Sequence, residues 1–347
     1  MDSIPQLVEK EKHEILIPPL LFSEGRMYNT EKLIFGDVSM TLLLIILLLV
    51  VLIFWIFPLI CFHIAFYAPR PKNGERPEVP LPNNEIYAPY KEMMDTWVRE
   101  VRQMPHRHYT ITSFDGLTLH GNYYEYAPGA PIELMFHGYR GSALRDLSGG
   151  VARCFALKRS CLIVDQRCAG KSDGDVITFG VREHRDCHSW LELMEKEFPD
   201  HKIILTGISM GAATVLMAAG LPLPENVIGV LADCGYTSAE AIIKSVIREM
   251  KLPTWMVYPF VKRAAKIYGH FNLEESSPID AVKNCKVPVI FFHGEDDNFV
   301  PCYMSQENYD ACPTRKAIYT VPGAGHGLSF PADQKSYLRQ LGDFFDL

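Results

Sequence analysis

Ser209 lies at the centre of the pentapeptide Gly207-Ile208-Ser209-Met210-Gly211, which follows an apolar run and precedes a helix-like stretch. A G-x-S-x-G turn between a strand and a helix is strained, and it lifts the serine hydroxyl above the sheet. The N–H groups at the start of the helix then face the reacting centre. Because a serine hydroxyl is a weak nucleophile on its own, the pattern predicts a base and an orienting acid further along the chain.

Two later loops supply these partners in the order acid, then histidine, that is typical of this turn. The loop Phe292–Pro301 follows an apolar strand-like run and contains the adjacent carboxylates Asp296 and Asp297. His326 follows the next such run, in a glycine-rich loop that allows a close approach to Ser209. The spacing alone leaves both aspartates open as the residue that orients His326.

A fourth loop, residues 137–142, reads His-Gly-Tyr-Arg-Gly-Ser and also follows an apolar run. Its two glycines allow a backbone N–H to point at the carbonyl oxygen of a substrate. Together with the N–H of Met210 it would complete an oxyanion hole, in which one donor contributes about 3–4 kcal/mol to transition-state stabilisation. The four segments together predict acyl-transfer chemistry at Ser209.

The elements that must position these loops are short apolar runs that alternate with helix-like stretches. Such alternation is typical of a mostly parallel sheet with helices on both faces. Residues 108–126 differ, because they contain two strand-like runs joined by a Phe-Asp-Gly turn. We therefore predict one α/β domain over residues 108–347, preceded by a proline-rich connector and a helix over residues 68–107.

From Tyr109 to the C-terminus the chain resembles the α/β-hydrolase superfamily, and within it the catalytic domains of acylaminoacyl peptidases and prolyl oligopeptidases. Besides the loops above, the resemblance rests on Asp165–Gly174, which is similar to the D-x-R-G-x-G-x-S-x-G loop of those families. Cys168 stands where glycine is usual, and we expect a local backbone adjustment there. The resemblance implies an α/β-hydrolase fold with an eight-stranded type of sheet and a small helical cap at about residues 236–284.

The resemblance also implies roles for individual residues. Ser209 would be the nucleophile, His326 the general base and acid, and Asp297 the orienting carboxylate. The backbone N–H groups of Tyr139 and Met210 would hold the oxyanion. No cofactor is implied.

Four large side chains of the predicted cap have two roles that the sequence leaves open. They either line an acyl pocket or pack the cap onto the body of the domain. These residues are Trp255, Met256, Tyr258 and Phe260.

His184 and His188 are four residues apart on a predicted helix, a spacing that can bind zinc. The glutamate that follows the first histidine in the zinc protease motif is missing, and a hydrolase of this type needs no metal. We therefore interpret the pair as solvated helix surface and predict no metal site.

Residues 38–67 predict a single transmembrane helix, since no Asp, Glu, Lys or Arg occurs between Asp37 and Arg70. A bilayer core needs about 20 apolar residues. Trp55, Phe66 and Tyr67 lie towards one end, where aromatic rings favour the interface. Residues 1–37 form the segment before this predicted anchor.

The flanking charges favour a cytoplasmic catalytic domain. Three basic residues follow the anchor and two precede it, and positive flanks stay cytoplasmic. They are Arg70, Lys72 and Arg76 on one side, and Arg26 and Lys32 on the other. The nine cysteines are an odd number without regular spacing, and no N-x-Ser/Thr acceptor occurs, which also favours a reducing compartment.

The sequence predicts a membrane-anchored serine hydrolase that cleaves a carboxylic ester or thioester through an acyl-serine intermediate. The ester preference rests on location, because a membrane tether concentrates the site near lipids and acylated molecules. A serine peptidase that acts on short peptides or acylaminoacyl substrates is the alternative, and a non-catalytic binding module of the same fold is a third reading. The net charge of −7 disfavours nucleic acid as a partner.

Overall fold

The computed structural model describes residues 30–71 and 76–346. Most of the predicted segment 1–37 lies outside the described residues, and so do Arg26 and Lys72, on which part of the orientation argument depends. The chain divides after Val51 into two units, one that contains helix α1 and one that contains everything from Leu52 onward.

The apolar N-terminal region is helical. Helix α1 covers Thr30–Val51, a π-helical turn covers Leu52–Ile56, and helix α2 covers Phe57–Ala65. Pro58 lies in the first turn of α2, where its missing N–H interrupts the hydrogen-bond ladder and accounts for the irregular turn before it. Among the described residues, Ser39–Ala65 is the one helical run that is long and apolar enough to cross a membrane.

The end of this run differs from the prediction that residues 38–67 form a transmembrane helix. The helix ends at Ala65, and Phe66 is completely buried within the second unit, with its ring against Phe179 and Phe271. Phe62 is buried as well. The helical run thus ends two residues before the predicted span does, and protein side chains cover one face of α2.

The centre of the second unit is an eight-stranded sheet in the order β1-β2-β4-β3-β5-β6-β7-β8. The strands are β1 Arg107–Thr112, β2 Thr118–Tyr124, β3 Ile132–Phe136, β4 Ser160–Asp165, β5 Ile203–Ile208, β6 Val227–Asp233, β7 Val289–Gly294 and β8 Lys316–Val321. β2 is antiparallel to both neighbours, and the other pairs from β4 to β8 are parallel. The carboxyl ends of six strands therefore meet at one edge.

Helices cover both faces of this sheet. They are α3 Lys91–Gln103, α4 Ala143–Ala156, α5 Glu183–Glu197, α6 Met210–Ala219, α7 Ala239–Glu249, α8 Thr254–Ile267, α9 Pro278–Ala281, α10 Tyr303–Ala311, α11 Ser329–Ala332 and α12 Gln334–Phe345. Successive residues of β3 show the alternation, since Leu134 packs in the cluster that contains α5 and α6, whereas Met135 packs with α4. Two-sided burial explains why the central strands β3 to β7 are largely apolar.

Helices α7 and α8 lie between β6 and β7, within the range predicted for the cap. Their buried faces form a second hydrophobic cluster that also contains Phe62 and Phe66 of the N-terminal apolar region. The end of α2 and the helices before β7 thus belong to one packed body.

Candidate active site

Ser209 occupies the turn between β5 and α6, in a strained conformation with φ at +57°. The two glycines of the pentapeptide are required by close contacts. A Cβ atom on Gly207 would overlap the backbone of Gly211, and a Cβ on Gly211 would overlap the carbonyl group of Phe136. Any larger residue would push α6 away from the sheet, so the elbow can form only with glycine at both positions.

The three residues predicted to work together are brought together by three different loops. His326 Nε2 lies 2.9 Å from Ser209 Oγ, and His326 Nδ1 lies 2.6 Å from Asp297 Oδ2. The distances allow the serine hydroxyl to donate to Nε2 while Nδ1–H donates to the carboxylate. Asp296, which the spacing had left open, is exposed and is not the carboxylate bonded to His326.

Asp297 is held as a buried anion. Its Oδ1 accepts hydrogen bonds from the backbone N–H groups of Phe299 and Val300, at 2.9 and 2.8 Å. Burial by itself would raise the pKa of Asp297, but hydrogen bonds from His293 and His326 outweigh it and hold that pKa well below its ordinary value. The carboxylate therefore stays charged at every pH at which the protein would act.

His293 is a second histidine against the same carboxylate, and the sequence argument assigned it no role. It is fully buried, with Nε2 at 3.3 Å from Asp297 Oδ2 and at 2.8 Å from the carbonyl oxygen of Val300. Its Nδ1 accepts from the Ser305 hydroxyl at 2.7 Å. Its position four residues before Asp297 was the available signal.

The two predicted oxyanion donors lie beside Ser209. Met210 is the first residue of α6, and neither its N–H nor that of Tyr139 donates a hydrogen bond within the described residues. The neighbouring N–H of Gly138 is already occupied, since it donates to Asp146 Oδ2 at 3.0 Å. Within the described residues both N–H groups are therefore free to donate, as an oxyanion hole would require.

The end of the apolar N-terminal region supports the loop that carries Tyr139. The Tyr139 hydroxyl donates to the carbonyl oxygen of Ala65 at 2.8 Å, and the Arg140 guanidinium donates to that of Tyr67 at 3.0 Å. The Tyr139 ring also stacks on Phe179 at 5.0 Å. The segment after α2 is thus part of the support of the site as well as a link in the chain.

A cleft of about 180 Å³ opens onto Ser209 and His326. Part of its wall comes from Leu81 and Pro82 of the predicted connector and from Tyr87 just after it, and Phe299 contributes another part. The Tyr87 hydroxyl donates to the carbonyl oxygen of His326. The sequence predicted only a proline-rich connector here. Its prolines gave no signal that the chain returns to the site.

The four residues considered for an acyl pocket lie elsewhere. None of them lines the cleft at Ser209. Trp255 and Met256 are exposed, Tyr258 is buried and donates to Glu274, and Phe260 packs on Phe57 with ring centroids 5.0 Å apart. The geometry thus agrees with cap packing for Tyr258 and Phe260. It places none of the four side chains where an acyl pocket at Ser209 would lie.

The histidine pair of α5 does not form solvated surface as predicted. Both rings are partly buried, and His184 Nδ1 and His188 Nε2 bond to the carbonyl oxygens of Gly180 and Ala218. The prediction of a solvated surface is therefore corrected, because these rings connect α5 to its neighbours. Their bonded nitrogens are not directed towards a shared metal position.

Cys234, Asp297 and His326 are the one group of potential metal ligands found among the described residues, with their ligand atoms within 4.8 Å of one another. Burial, followed by the charges of Asp233 and Asp297, raises the pKa of the Cys234 thiol well above its ordinary value. A thiol is a poor ligand until it loses its proton. Asp297 and His326 are also already bonded to each other, so the donor set does not fit a resident metal.

Comparison with known proteins agrees with this geometry. The model of the alpha/beta hydrolase family matches residues 117–335, which is more than half of the chain. The chain belongs to the alpha/beta hydrolase family. The predicted family and fold class are therefore confirmed, including the mostly parallel eight-stranded sheet. Cys168, which replaces the usual glycine, adopts a left-handed φ of +66° that a glycine adopts more readily.

Two curated proteins are similar in sequence to this hydrolase. The Bacillus subtilis protein YqkD, described as uncharacterized, is 27% identical over 187 residues, which cover 53% of this chain and 61% of that protein. The Schizosaccharomyces pombe protein bem46 is 28% identical over 220 residues, 62% of this chain and 67% of that protein. The match thus spans about three fifths to two thirds of these relatives.

Solved structures of esterases and of a peptidase share the fold. The Pyrococcus furiosus esterase Pf2001 aligns with a TM-score of 0.57 and 20% identity, over 78% of this chain and 98% of that one. The Pyrococcus horikoshii acylaminoacyl peptidase aligns with a TM-score of 0.52 and 18% identity, over 73% of this chain and 43% of the peptidase. At these identities the likeness concerns the fold, and membership of the family supports hydrolase activity.

Proposed function

We propose that this alpha/beta hydrolase is a membrane-anchored serine esterase or thioesterase that works through an acyl-Ser209 intermediate. One observation carries the proposal, namely the continuous line of hydrogen bonds from Ser209 through His326 to Asp297. A relay of this geometry lets the imidazole accept the serine proton while the carboxylate fixes its tautomer.

The proposed reaction has two halves. Ser209 Oγ attacks the acyl carbon as His326 Nε2 takes its proton, and the N–H groups of Tyr139 and Met210 hold the negative oxygen that develops. The C–O or C–S bond then breaks, and His326 gives the proton to the leaving group. Water, activated by the same imidazole, hydrolyses the acyl-serine and restores the free hydroxyl.

The walls of the cleft favour a small, apolar acyl group. Leu81, Pro82 and Phe299 are close to the nucleophile, and a cleft of about 180 Å³ is smaller than a typical ligand pocket. Anchoring is proposed from the apolar run Ser39–Ala65, and a cytoplasmic catalytic domain from the basic residues that follow it. The nine cysteines are all free, which agrees with a reducing compartment.

The test uses the full chain purified in detergent. We expect a fluorophosphonate probe to label Ser209, as mapped by mass spectrometry, and the Ser209→Ala variant to lose both the label and at least 10³-fold in kcat/KM towards short acyl esters. The same enzyme is assayed on a panel of acyl esters, thioesters and aminoacyl amides.

Two results would overturn parts of the proposal. Cleavage confined to the amides would favour a peptidase over an esterase. A folded protein that neither labels nor turns over any substrate would instead favour the non-catalytic binding module.

A further inference from the structure

Residues 250–256, which join α7 to α8 and include the start of α8, expose four large apolar side chains. Trp255 is 79% exposed, which is the highest value among the large hydrophobic residues of the described chain. Met250, Leu252 and Met256 are 57%, 42% and 47% exposed. Contiguous apolar surface of this kind marks a place where a protein meets a partner or a membrane. We call these residues the α7–α8 turn.

The fold holds this turn in a fixed shape. The N–H of Leu252 donates to the carbonyl oxygen of Ile247, and that of Val257 donates to the carbonyl oxygen of Pro253, both at 3.1 Å. Val257 and Tyr258 are buried in the cluster between the cap and the body. Because the other face of α8 is anchored in this way, the exposed apolar side chains are presented to the outside.

Helix α8 also contacts the apolar N-terminal region, at Phe54 and Trp55. The Arg263 guanidinium lies 5.5 Å from the ring centres of both Phe54 and Trp55, and the Tyr268 hydroxyl donates to the carbonyl oxygen of Trp55 at 2.8 Å. Phe54 and Trp55 are themselves about half exposed. The exposed turn is therefore one helix length from the point where the proposed anchor meets the body.

Counting residues puts this contact at the edge of a bilayer. A membrane core needs roughly 17 to 25 apolar residues in a helix, and the run that begins at Ser39 reaches the lower bound at Trp55. Tryptophan is enriched at the interface between lipid and water. Trp55 then lies at the proposed interface, and the helix that contacts it, α8, carries Trp255 in its first turn.

The basic residues around the α7–α8 turn indicate which kind of surface the turn would bind. Residues 239–268 contain six Lys and Arg but only two Glu, in a chain whose net charge is −7. Arg248, Lys251 and Lys266 are exposed, and none of them forms an ion pair within the described part of the chain. Apolar and basic side chains on one exposed surface are typical of binding to anionic lipid.

We propose that the α7–α8 turn inserts into the headgroup region of a bilayer that contains anionic lipid, as a second membrane contact beside the anchor. The proposal rests on the membrane anchoring given under the proposed function. It deepens that function, because a cap seated on the bilayer fixes how the hydrolase body faces the membrane and favours substrates that reside in it.

The test measures the tryptophan fluorescence of the full chain in nanodiscs. The chain has four tryptophans, so the difference between wild type and Trp255→Phe isolates the Trp255 signal. In discs with phosphatidylglycerol, we expect brominated lipids to quench this signal at least twofold. In discs of phosphatidylcholine alone, the quenching should be weaker. Since one cation near an anionic bilayer changes partition about fivefold, R248E/K251E should remove the difference between the two lipids.

A matched control places a tryptophan on exposed apolar surface elsewhere. Tyr126 is 40% exposed and follows β2, whose antiparallel direction puts it at the sheet edge opposite to Ser209. The signal that Y126W adds is the difference between W255F/Y126W and Trp255→Phe, and we expect brominated lipid not to quench it. Quenching at both positions would mean non-specific contact with the disc and would overturn the proposal.

Two other outcomes also decide against it. An unquenched Trp255 signal would show that the turn stays in water. A signal that becomes shielded from iodide in detergent as protein concentration rises would show that a second copy of the chain covers the turn.

Labelling of Ser209 by the fluorophosphonate, measured on the same samples, reports separately on the serine chemistry. Extraction of the chain from vesicles by alkaline carbonate reports separately on the anchor. Loss of labelling with intact Trp255 quenching would thus refute the esterase proposal alone. Retained labelling without quenching would refute the membrane contact of the turn alone.

Discussion

Asp297 accepts hydrogen bonds on both carboxylate oxygens, from two backbone N–H groups on Oδ1 and from His326 on Oδ2, and His293 Nε2 lies 3.3 Å from Oδ2. Only His326 contacts Ser209. His293 reaches the reaction through Asp297, so we interpret it as a positioning residue. Its imidazole packs against the Asp297 carboxylate and holds it in place. The negative charge of Asp297 in turn orients His326.

Replacement of His293 by Asn tests this role. We expect kcat to fall about 10- to 100-fold with little change in KM, because the chemistry is affected and the cleft is not. Without the His293 imidazole beside it, the Asp297 charge attracts the proton on His326 more strongly. The acid limb of the kcat/KM profile should therefore move to higher pH, as measured on a short acyl ester.

His201→Asn serves as the control for a histidine substitution away from the site, since His201 packs near Phe198. A His293 variant whose activity falls with no shift in the pH profile would have lost only structural integrity. In that case the positioning role would be rejected.

The segment before α3 packs beside the cleft at Ser209. Residues 76–90 have little regular structure apart from a short 3₁₀ turn, Ala88–Tyr90, yet they supply part of the wall beside Ser209. Ile86 packs close to Gly325, and the hydroxyl of Tyr87 is bonded to the backbone of the loop that carries His326. This segment therefore narrows the cleft beside Ser209 and supports the loop that carries His326.

Tyr87→Ala should enlarge the cleft. We expect kcat/KM for octanoyl esters to rise at least threefold relative to acetyl esters, because the ring no longer blocks the space beside Ser209. Absolute rates on acetyl esters should fall, since the His326 loop loses a hydrogen bond worth about 1 kcal/mol. The measurement is a chain-length series of nitrophenyl esters.

Tyr90→Ala is the matched control, because Tyr90 ends the same 3₁₀ turn but does not line the cleft. Its chain-length preference should equal that of wild type. An equal change in both variants would mean that the segment as a whole had loosened, and the size-limiting role of Tyr87 would fail.

A buried ionic cluster on β3 makes the stability of the whole molecule dependent on pH. Glu133 of β3 is fully buried and pairs with Arg153 at 2.6 Å and with Arg159 at 2.9 Å, while Thr206 donates to it at 3.0 Å. Burial alone would raise the pKa of Glu133, but the two guanidinium groups outweigh it and lower that pKa to about 2. The charged form is therefore strongly favoured in the folded state.

This shift predicts how stability depends on pH. Unfolded, the carboxyl has its ordinary pKa of 4.5, so the stabilisation of about 3 kcal/mol is complete above that pH and is lost as the pH falls towards 2. Glu133→Gln should lose about 3–5 kcal/mol at pH 7, because both arginines stay buried without a counter-charge. Urea unfolding in detergent at pH 7, 5 and 3 measures both effects.

Glu240→Gln is the control, since Glu240 forms an exposed pair with Lys244 on α7. Its cost should be below about 0.5 kcal/mol at every pH. If the two variants lost equal stability, or if Glu133→Gln kept the acid dependence of wild type, the cluster would not be the source of that dependence.

The sequence was most informative where a local pattern dictates local structure. The apolar strands, the elbow at Ser209 and the glycine-rich loop of His326 all follow from residue types and their order, since strand burial and tight turns are short-range effects. The long-range packing of the connector was not predictable in this way. Neither Tyr87 nor Leu81 lies in a periodic pattern, and their positions depend on contacts with loops more than 100 residues away in sequence.

By itself, the sequence determined the class of fold and placed Ser209 and His326 in loops at one edge of the sheet, because these depend on alternating apolar runs and on turns that only glycine permits. Only the tertiary structure decided which aspartate meets His326, that His293 lies behind it, and that Trp255 faces outward while Phe66 is buried. The reason is physical. A side chain's neighbours across a fold are set by the packing of whole elements, which no short stretch of sequence contains.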